Sequence, residues 1–209
     1  MRTLAIAALA ALLSVQAIGA PVAGKDYEEI KPPQETSDPS RLVVTEFFSY
    51  QCPHCFRFAK PYAAWAAKLP SDVKSERVAV SIGHEAWVPA AQAFFALSAM
   101  KKVPAIDDAL FSAIHRQQLR FDTEAALTDW VRRQGIDPAA FTQAYRSFSV
   151  KLNMKRADDL SRSYRLPSVP TLAIDGRYLV PISDDGNFND QLDIANALIE
   201  QARQARKGR

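Results

Sequence analysis

Cysteine, glycine and an excess of charge of either sign are all scarce in this chain. Only 2 cysteines occur in 209 residues, so disulfide bonds cannot staple a fold of this size. The 7 glycines are too few for a collagen-like or low-complexity polypeptide. A formal net charge of +3 gives no strongly basic face, and we expect no nucleic-acid partner. With 48% hydrophobic residues, the sequence predicts a folded protein with its own apolar core.

The chain also lacks an apolar run long enough to span a membrane. Its N-terminal apolar stretch, residues 4–18, contains polar interruptions and is shorter than the roughly 18 residues that a span requires. It follows Arg2 and ends among small residues, which is the pattern of a secretory signal peptide. We therefore predict a signal peptide over residues 1–20, cleaved between about residues 17 and 23. The mature protein is then exported to an oxidising compartment. A retained membrane anchor is the alternative.

The first part of the mature chain predicts strands and one helix. An edge strand is expected around residues 27–30, where prolines follow closely. Residues 42–48 form an apolar, β-branched run without alternation, which is typical of a central strand buried on both faces. A helix begins at Pro53, which suits the first helical position. Residues 77–82 alternate and predict a second inner strand.

The rest of the chain is helical apart from one hairpin. From about residue 85 to 166 the hydrophobic period is helical, with room for four or five helices. Two short strands, 171–174 and 177–180, flank Asp175-Gly176, a dipeptide that favours a two-residue hairpin turn. A last helix covers about 189–206.

This order of elements predicts an α/β fold with an inserted helical domain. The sheet domain takes residues 21–84 and 167–209, and the all-α domain takes residues 85–166.

The two cysteines form the motif Cys52-Pro53-His54-Cys55, where the central strand gives way to a helix. Unpaired backbone N–H groups and the helix dipole stabilise a thiolate at the helix N-terminus, and His54 can add a charge or a hydrogen bond. We therefore expect Cys52 to be the attacking sulfur. Cys55, one turn further on, is placed to resolve a mixed disulfide by attacking Cys52.

Two structural alternatives to a redox site exist. A zinc site needs four ligands, and His54, His84 and His115 stand in no paired spacing with the cysteines. A purely structural disulfide between Cys52 and Cys55 closes almost no loop. We therefore favour a redox pair and expect neither a metal nor a cofactor.

At these residues the chain resembles the DsbA family of bacterial periplasmic thiol:disulfide oxidoreductases, which have a thioredoxin-like fold. The likeness lies in Glu46-Phe47-Phe48-Ser49-Tyr50 running into Cys52-Pro53-His54-Cys55, in the helical block that ends near Leu166, and in Ser168-Val169-Pro170-Thr171. Cys-Pro-His-Cys is typical of this family. The resemblance spans nearly the whole mature chain.

The resemblance implies roles for individual residues. Pro170 would be a cis-proline facing the cysteine pair, and Val169 would offer backbone hydrogen bonds to an extended substrate. Pro53 and His54 belong to the site because they stand between the cysteines, and His54 would stabilise the reduced form. Glu46, a carboxylate in an apolar strand, would exchange protons with buried Cys55. The alternative for Glu46 is a partly solvated carboxylate at the strand end, without a role.

The resemblance also implies a function. The chain would be a periplasmic, monomeric oxidase that donates its Cys52–Cys55 disulfide to reduced, unfolded or partly folded exported proteins through a mixed disulfide on Cys52. A DsbB-type quinone-linked membrane protein would reoxidise it. Two alternatives stay open: a disulfide isomerase or reductase with the same fold, and a peptide-binding chaperone module with a structural disulfide.

Overall fold

A computed structural model describes residues 20–183 and 186–207. The predicted signal peptide, residues 1–20, therefore lies outside the described residues except for its last residue. The strands are β1 (Glu28–Glu29), β2 (Leu42–Phe48), β3 (Val73–Ala79), β4 (Thr171–Ile174) and β5 (Tyr178–Pro181). The helices are α1 (Pro53–Ala66), α2 (Val88–Ala99), α3 (Val103–His115), α4 (Glu124–Arg133), α5 (Pro138–Tyr145), α6 (Phe148–Ser163) and α7 (Phe188–Lys207). We call α2–α6 the helical insert.

The five strands form one mixed sheet in the order β1-β5-β4-β2-β3. β2 pairs in parallel with β3 and antiparallel with β4, and all seven of its residues are buried. An apolar strand without alternation suits this position, because helices or other strands cover it on every side. The chain therefore leaves the middle of the sheet at the last residue of β2 and continues to the start of α1.

The structure corrects the position of β3. The alternation of residues 77–82 predicts a strand there, whereas β3 spans Val73–Ala79. β3 lies at the edge of the sheet, so its middle residues are only partly buried and can be polar. A search for alternating apolar residues therefore misses the start of the strand. The chain leaves the sheet after Ala79, and Ile82 and Gly83 both have positive φ. The other predicted elements lie within about two residues of the observed ones.

The described residues form two apolar clusters. One contains α7 residues, part of α1 and one side of the sheet, including Val44 and Phe58. The other joins the helical insert to the cysteine pair and to Phe48 at the end of β2. The Phe48 ring lies 5.1 Å from the Phe94 ring and 6.1 Å from the Phe111 ring, between centroids. The insert is thus packed against the strand that leads to Cys52.

Among the helices of the described residues, none combines the length and the hydropathy that a membrane crossing requires.

The β4–β5 hairpin closes on a turn that also anchors the N-terminal segment. Asp175 and Gly176 both have positive φ, as the Asp-Gly dipeptide predicts for a two-residue turn. The Gln34 N–H donates to the Gly176 carbonyl at 2.8 Å. A Cβ atom at position 176 would lie 2.0 Å from the Gln34 carbonyl oxygen. Position 176 therefore needs glycine for two reasons, its backbone conformation and the close approach of Gln34.

We expect Gly176→Ala to destabilise the fold by more than the roughly 1–3 kcal/mol that a strained backbone conformation costs. Gly135→Ala is the matched control, because Gly135 also has positive φ but a Cβ atom added there would meet no other atom within 4 Å. Urea denaturation of both variants measures the difference. Equal losses would show that the approach of Gln34 adds nothing.

Candidate active site

The N-terminus of α1 positions the two cysteines differently. Cys52 is the N-cap residue, with extended backbone angles, and Pro53 occupies the first turn of the helix. The Cys52 Sγ accepts a hydrogen bond from the Cys55 N–H at 3.4 Å. The sulfur thus satisfies one of the backbone donors that a helix start leaves without a partner.

Cys52 is buried but lies against the loop that precedes β4. Its thiol donates to the Val169 carbonyl at 3.2 Å. The pKa of Cys52 is lowered to about 7, first by the hydrogen bond with the Cys55 side chain. Burial opposes this shift, and the backbone N–H groups of Cys55 and His54 and the positive charge of Arg57 add to it. Cys52 is therefore the thiol of the pair that ionises more readily.

Cys55 lies on the inner side of the helix and is fully buried. Burial raises the pKa of its thiol well above the ordinary value, and interaction with Cys52 and the negative charge of Glu46 raise it further. Its sulfur accepts a hydrogen bond from the Ser49 N–H at 3.5 Å. Both thiols are free in this structure, so it represents the reduced pair.

The loop opposite the cysteines contains the peptide bond that the resemblance singled out. The Val169–Pro170 bond is cis. Gln191 of α7, which the sequence analysis missed, holds this loop: its Nε2 donates to the Pro170 carbonyl at 3.3 Å and to the Val180 carbonyl at 2.9 Å. Gln191 is buried on the same face of α7 as Ala195 and Leu198, and this helical spacing is the signal by which the sequence could have identified it.

Glu46 lies beneath the site within a buried charge network. It is fully buried, so the alternative of a partly solvated carboxylate at the strand end is wrong as to position. Arg77 of β3 donates from Nε to Glu46 at 2.6 Å and from Nη1 to both carboxylate oxygens of Asp107 at 3.0 and 2.9 Å. Burial raises the pKa of Glu46, although Arg77 opposes the shift. The sequence analysis missed Arg77 and Asp107, which come together only in the fold.

The Tyr50 residue ties the active-site loop to α3. Its hydroxyl donates to Asp107 at 2.6 Å, and its carbonyl oxygen lies 2.7 Å from Nε2 of His115. The His115 ring also stacks on the Phe56 ring, with centroids 4.9 Å apart. Asp107 and His115 stand eight residues apart on α3, so they lie on one face of it. That spacing is the signal by which the sequence could have identified them.

His54 is exposed and points away from the buried side of the pair. The Nη2 of Arg57 lies 3.0 Å from Nδ1 of His54. Arg57 is three residues after His54, a spacing that places two helical side chains side by side. Over the part of the chain that the structure covers, no group of three or more His, Cys, Asp or Glu side chains could hold a metal ion.

Comparison with known proteins gives the same family as the motif. The family model of the DSBA-like thioredoxin domain matches residues 43–193. The thiol:disulfide interchange protein DsbA of Pseudomonas aeruginosa is 33% identical over 211 residues, which cover 99% of this chain and all of that protein. DsbA of Azotobacter vinelandii is 36% identical, over 87% of this chain and 85% of that protein.

Solved structures of relatives have the same fold. The crystal structure of Pseudomonas aeruginosa DsbA superposes with a TM-score of 0.85 at 34% identity and covers 90% of this chain and 97% of that one. The oxidoreductase DsbA from Xylella fastidiosa gives a TM-score of 0.81 at 28% identity, with 88% and 98% covered. The predicted α/β class, a thioredoxin-like sheet with inserted helices, is therefore confirmed. The chain belongs to the family of DsbA-like thioredoxin-domain proteins and is a thiol:disulfide oxidoreductase.

Proposed function

We propose that the protein is an oxidase, which donates a Cys52–Cys55 disulfide to reduced polypeptides through a mixed disulfide on Cys52. The observation that carries this proposal is the difference between the two thiols: the pKa of Cys52 is lowered to about 7, whereas the pKa of buried Cys55 is raised. A thiol with a lower pKa leaves a disulfide faster. A mixed disulfide on Cys52 therefore releases Cys52 readily when a second substrate thiolate attacks the substrate sulfur.

The exchange consists of two displacements. A substrate thiolate attacks the Cys52 sulfur of the oxidised pair, the Cys52–Cys55 bond breaks, and Cys55 leaves and takes up a proton. A second substrate thiolate then attacks the substrate sulfur of the mixed disulfide and releases Cys52 as a thiolate. The substrate is oxidised and the cysteine pair is reduced by two electrons. When no second substrate thiol is available, Cys55 attacks Cys52 and reverses the first step.

Glu46 is the group that we assign to proton exchange at Cys55. The Cys55 thiol is shut off from solvent, so a proton that it gains or loses must pass through the protein or through water inside it. Glu46 is close enough for its charge to raise the pKa of Cys55, and its Oε1 has no hydrogen-bond partner within the described residues. A carboxylate whose own pKa is raised by burial takes up and releases protons nearer neutral pH.

Val169 and Pro170 are the residues that we assign to substrate binding. In the reduced pair the Val169 carbonyl accepts the Cys52 thiol proton at 3.2 Å, so it lies beside the sulfur that a substrate cysteine must reach. An extended substrate strand can pair with this backbone as strands pair at a sheet edge.

The cellular setting belongs to the same proposal. A signal peptide at residues 1–20 exports the chain to the periplasm, where its substrates are reduced, newly exported proteins and a DsbB-type quinone-linked membrane protein reoxidises it. The mature chain acts as a monomer, with a thioredoxin-like domain in residues 21–84 and 167–209 and a helical domain in residues 85–166.

Replacing each cysteine by serine separates the two roles. Cys52→Ser leaves no nucleophile and should abolish disulfide donation. Cys55→Ser keeps the nucleophile but lacks the resolving thiol, so it should accumulate a mixed disulfide on Cys52 when given oxidised glutathione. Mass spectrometry of the intact proteins and of their peptides measures both results. A glutathione adduct on the remaining cysteine of Cys52→Ser, with none on Cys55→Ser, would reverse the assignment.

The pH dependence of stability tests the thiolate on Cys52. Its folded pKa of about 7 lies below the ordinary thiol value near 8.5, so ionisation stabilises the reduced fold fully above the higher value. This stabilisation is lost as the pH falls through the folded pKa. The pKa of Cys55 has the opposite effect on stability. Because this pKa is raised in the folded protein, Cys55 destabilises the reduced fold only as the pH rises beyond the ordinary thiol value.

We therefore expect the reduced protein to gain stability relative to the oxidised protein between about pH 6 and about pH 8.5, and to be the more stable form at the higher pH. Denaturant titrations of both forms at the two pH values measure the gain, with the oxidised protein as the matched control because it has no free thiol. A difference between the two forms that does not change with pH would contradict a stabilised thiolate and favour a structural disulfide.

Glu46→Gln tests the proton route. The amide cannot exchange a proton, so formation of the Cys52–Cys55 disulfide from a glutathione mixed disulfide should slow by up to roughly 10²-fold, the lower end of what a positioned acid or base contributes. Glu76→Gln is the matched control, because it removes a neighbouring carboxylate of β3 that pairs with Thr45 and Lys74 rather than with Arg77. Stopped-flow measurement across pH, with circular dichroism to check folding, decides. Equal rates in the two variants would remove Glu46 from the route.

A further inference from the structure

Arg57 stands on the exposed face of α1, one turn beyond the start of the helix. Its guanidinium Nη2 lies 3.0 Å from Nδ1 of His54, and the His54–Arg57 contact is exposed. Its charge contributes to the lowered pKa of Cys52, but no role in the exchange reaction is assigned to Arg57 above. The contact nevertheless involves His54, which stands between the two cysteines in the sequence.

The chemistry of the two groups fixes the direction of this hydrogen bond. A guanidinium has five N–H donors and no acceptor, and it stays charged at any pH at which proteins fold. The Nδ1 of His54 must therefore accept, and the ring proton then lies on Nε2. In this contact Nδ1 of His54 therefore accepts a hydrogen bond from a group with a permanent positive charge.

A cation at this place acts on Cys52 through space. The positive charge of Arg57 is among the causes that lower the pKa of Cys52, together with the backbone donors of the helix start. Two other cations lie on these elements: Lys60, one turn further along α1, pairs with Asp108 at 3.5 Å, and Arg116, at the end of α3, lies over the Phe56 ring at 5.4 Å. Neither touches His54 in the described hydrogen bonds.

We propose that Arg57 is a positioning residue of the thiol-exchange site: its guanidinium holds the His54 ring with the proton on Nε2 and provides a permanent positive charge on the first turns of α1. The proposal rests on the proposed function, in which Cys52 is the attacking and leaving sulfur.

The test follows the alkylation of Cys52 by iodoacetamide as a function of pH. Arg57→Gln should move the midpoint of the profile to higher pH and slow alkylation below the midpoint by roughly two- to fivefold, the effect of one partly exposed charge. Arg57→Lys, which keeps the charge, should recover most of the rate. Lys60→Gln is the matched control: it removes one cation from the same helix but leaves His54 paired, and its profile should be that of the unmodified sequence.

A second measurement separates orientation from charge. Nitrogen NMR shifts of the His54 ring at about pH 8 report which nitrogen bears the proton, and they should change in Arg57→Gln but not in Lys60→Gln. Unchanged alkylation profiles and unchanged ring shifts in Arg57→Gln would overturn the proposal. Failure of the proposed function looks different, because peptide mapping would then find the label on Cys55, or on neither cysteine, in the unmodified sequence.

Discussion

The hydrogen bond between the Cys55 N–H and the Cys52 sulfur is the constraint on which the site depends. A helix must begin with donors that lack partners, and in α1 the side chain that accepts from one of them is Cys52, the proposed nucleophile. The same contact caps the helix and favours a negative charge on that sulfur. Ionising the thiol strengthens this hydrogen bond, and bonding the sulfur to a partner weakens it. The strength of the helix cap therefore depends on the chemical state of the Cys52 sulfur.

Contacts from the rest of the fold position the N-terminus of α1. β2, buried on all sides, carries the chain through the sheet and stops four residues before Cys52. The helical insert packs on Phe48 at the end of that strand, and α7 holds the opposing loop through Gln191. Each of these contacts restricts the position of one side of the site. A restricted position favours disulfide exchange, because the attacking, central and leaving sulfur atoms must approach nearly in line.

The sequence predicts the parts of the molecule that depend on local patterns. The central strand, the hairpin turn at Asp175-Gly176 and the helix that starts at Pro53 each depend on a few neighbouring residues, and all are present. The strand β3 lies earlier than predicted because an edge strand need not be apolar. The partners of Arg77, Asp107 and Gln191 cannot be identified from local patterns, because they are 31, 57 and 21 residues away and come together only in the fold. The roles of the site residues remain predictions.

Tyr50 restricts the position of α3 relative to the loop before Cys52. Its hydroxyl and its carbonyl are both bonded to α3, at Asp107 and His115, and the residue stands two positions before Cys52. A hinge between sheet and insert would have to break both bonds or carry the Tyr50 backbone with it. Tyr50 thereby ties the position of the loop before Cys52 to the position of α3.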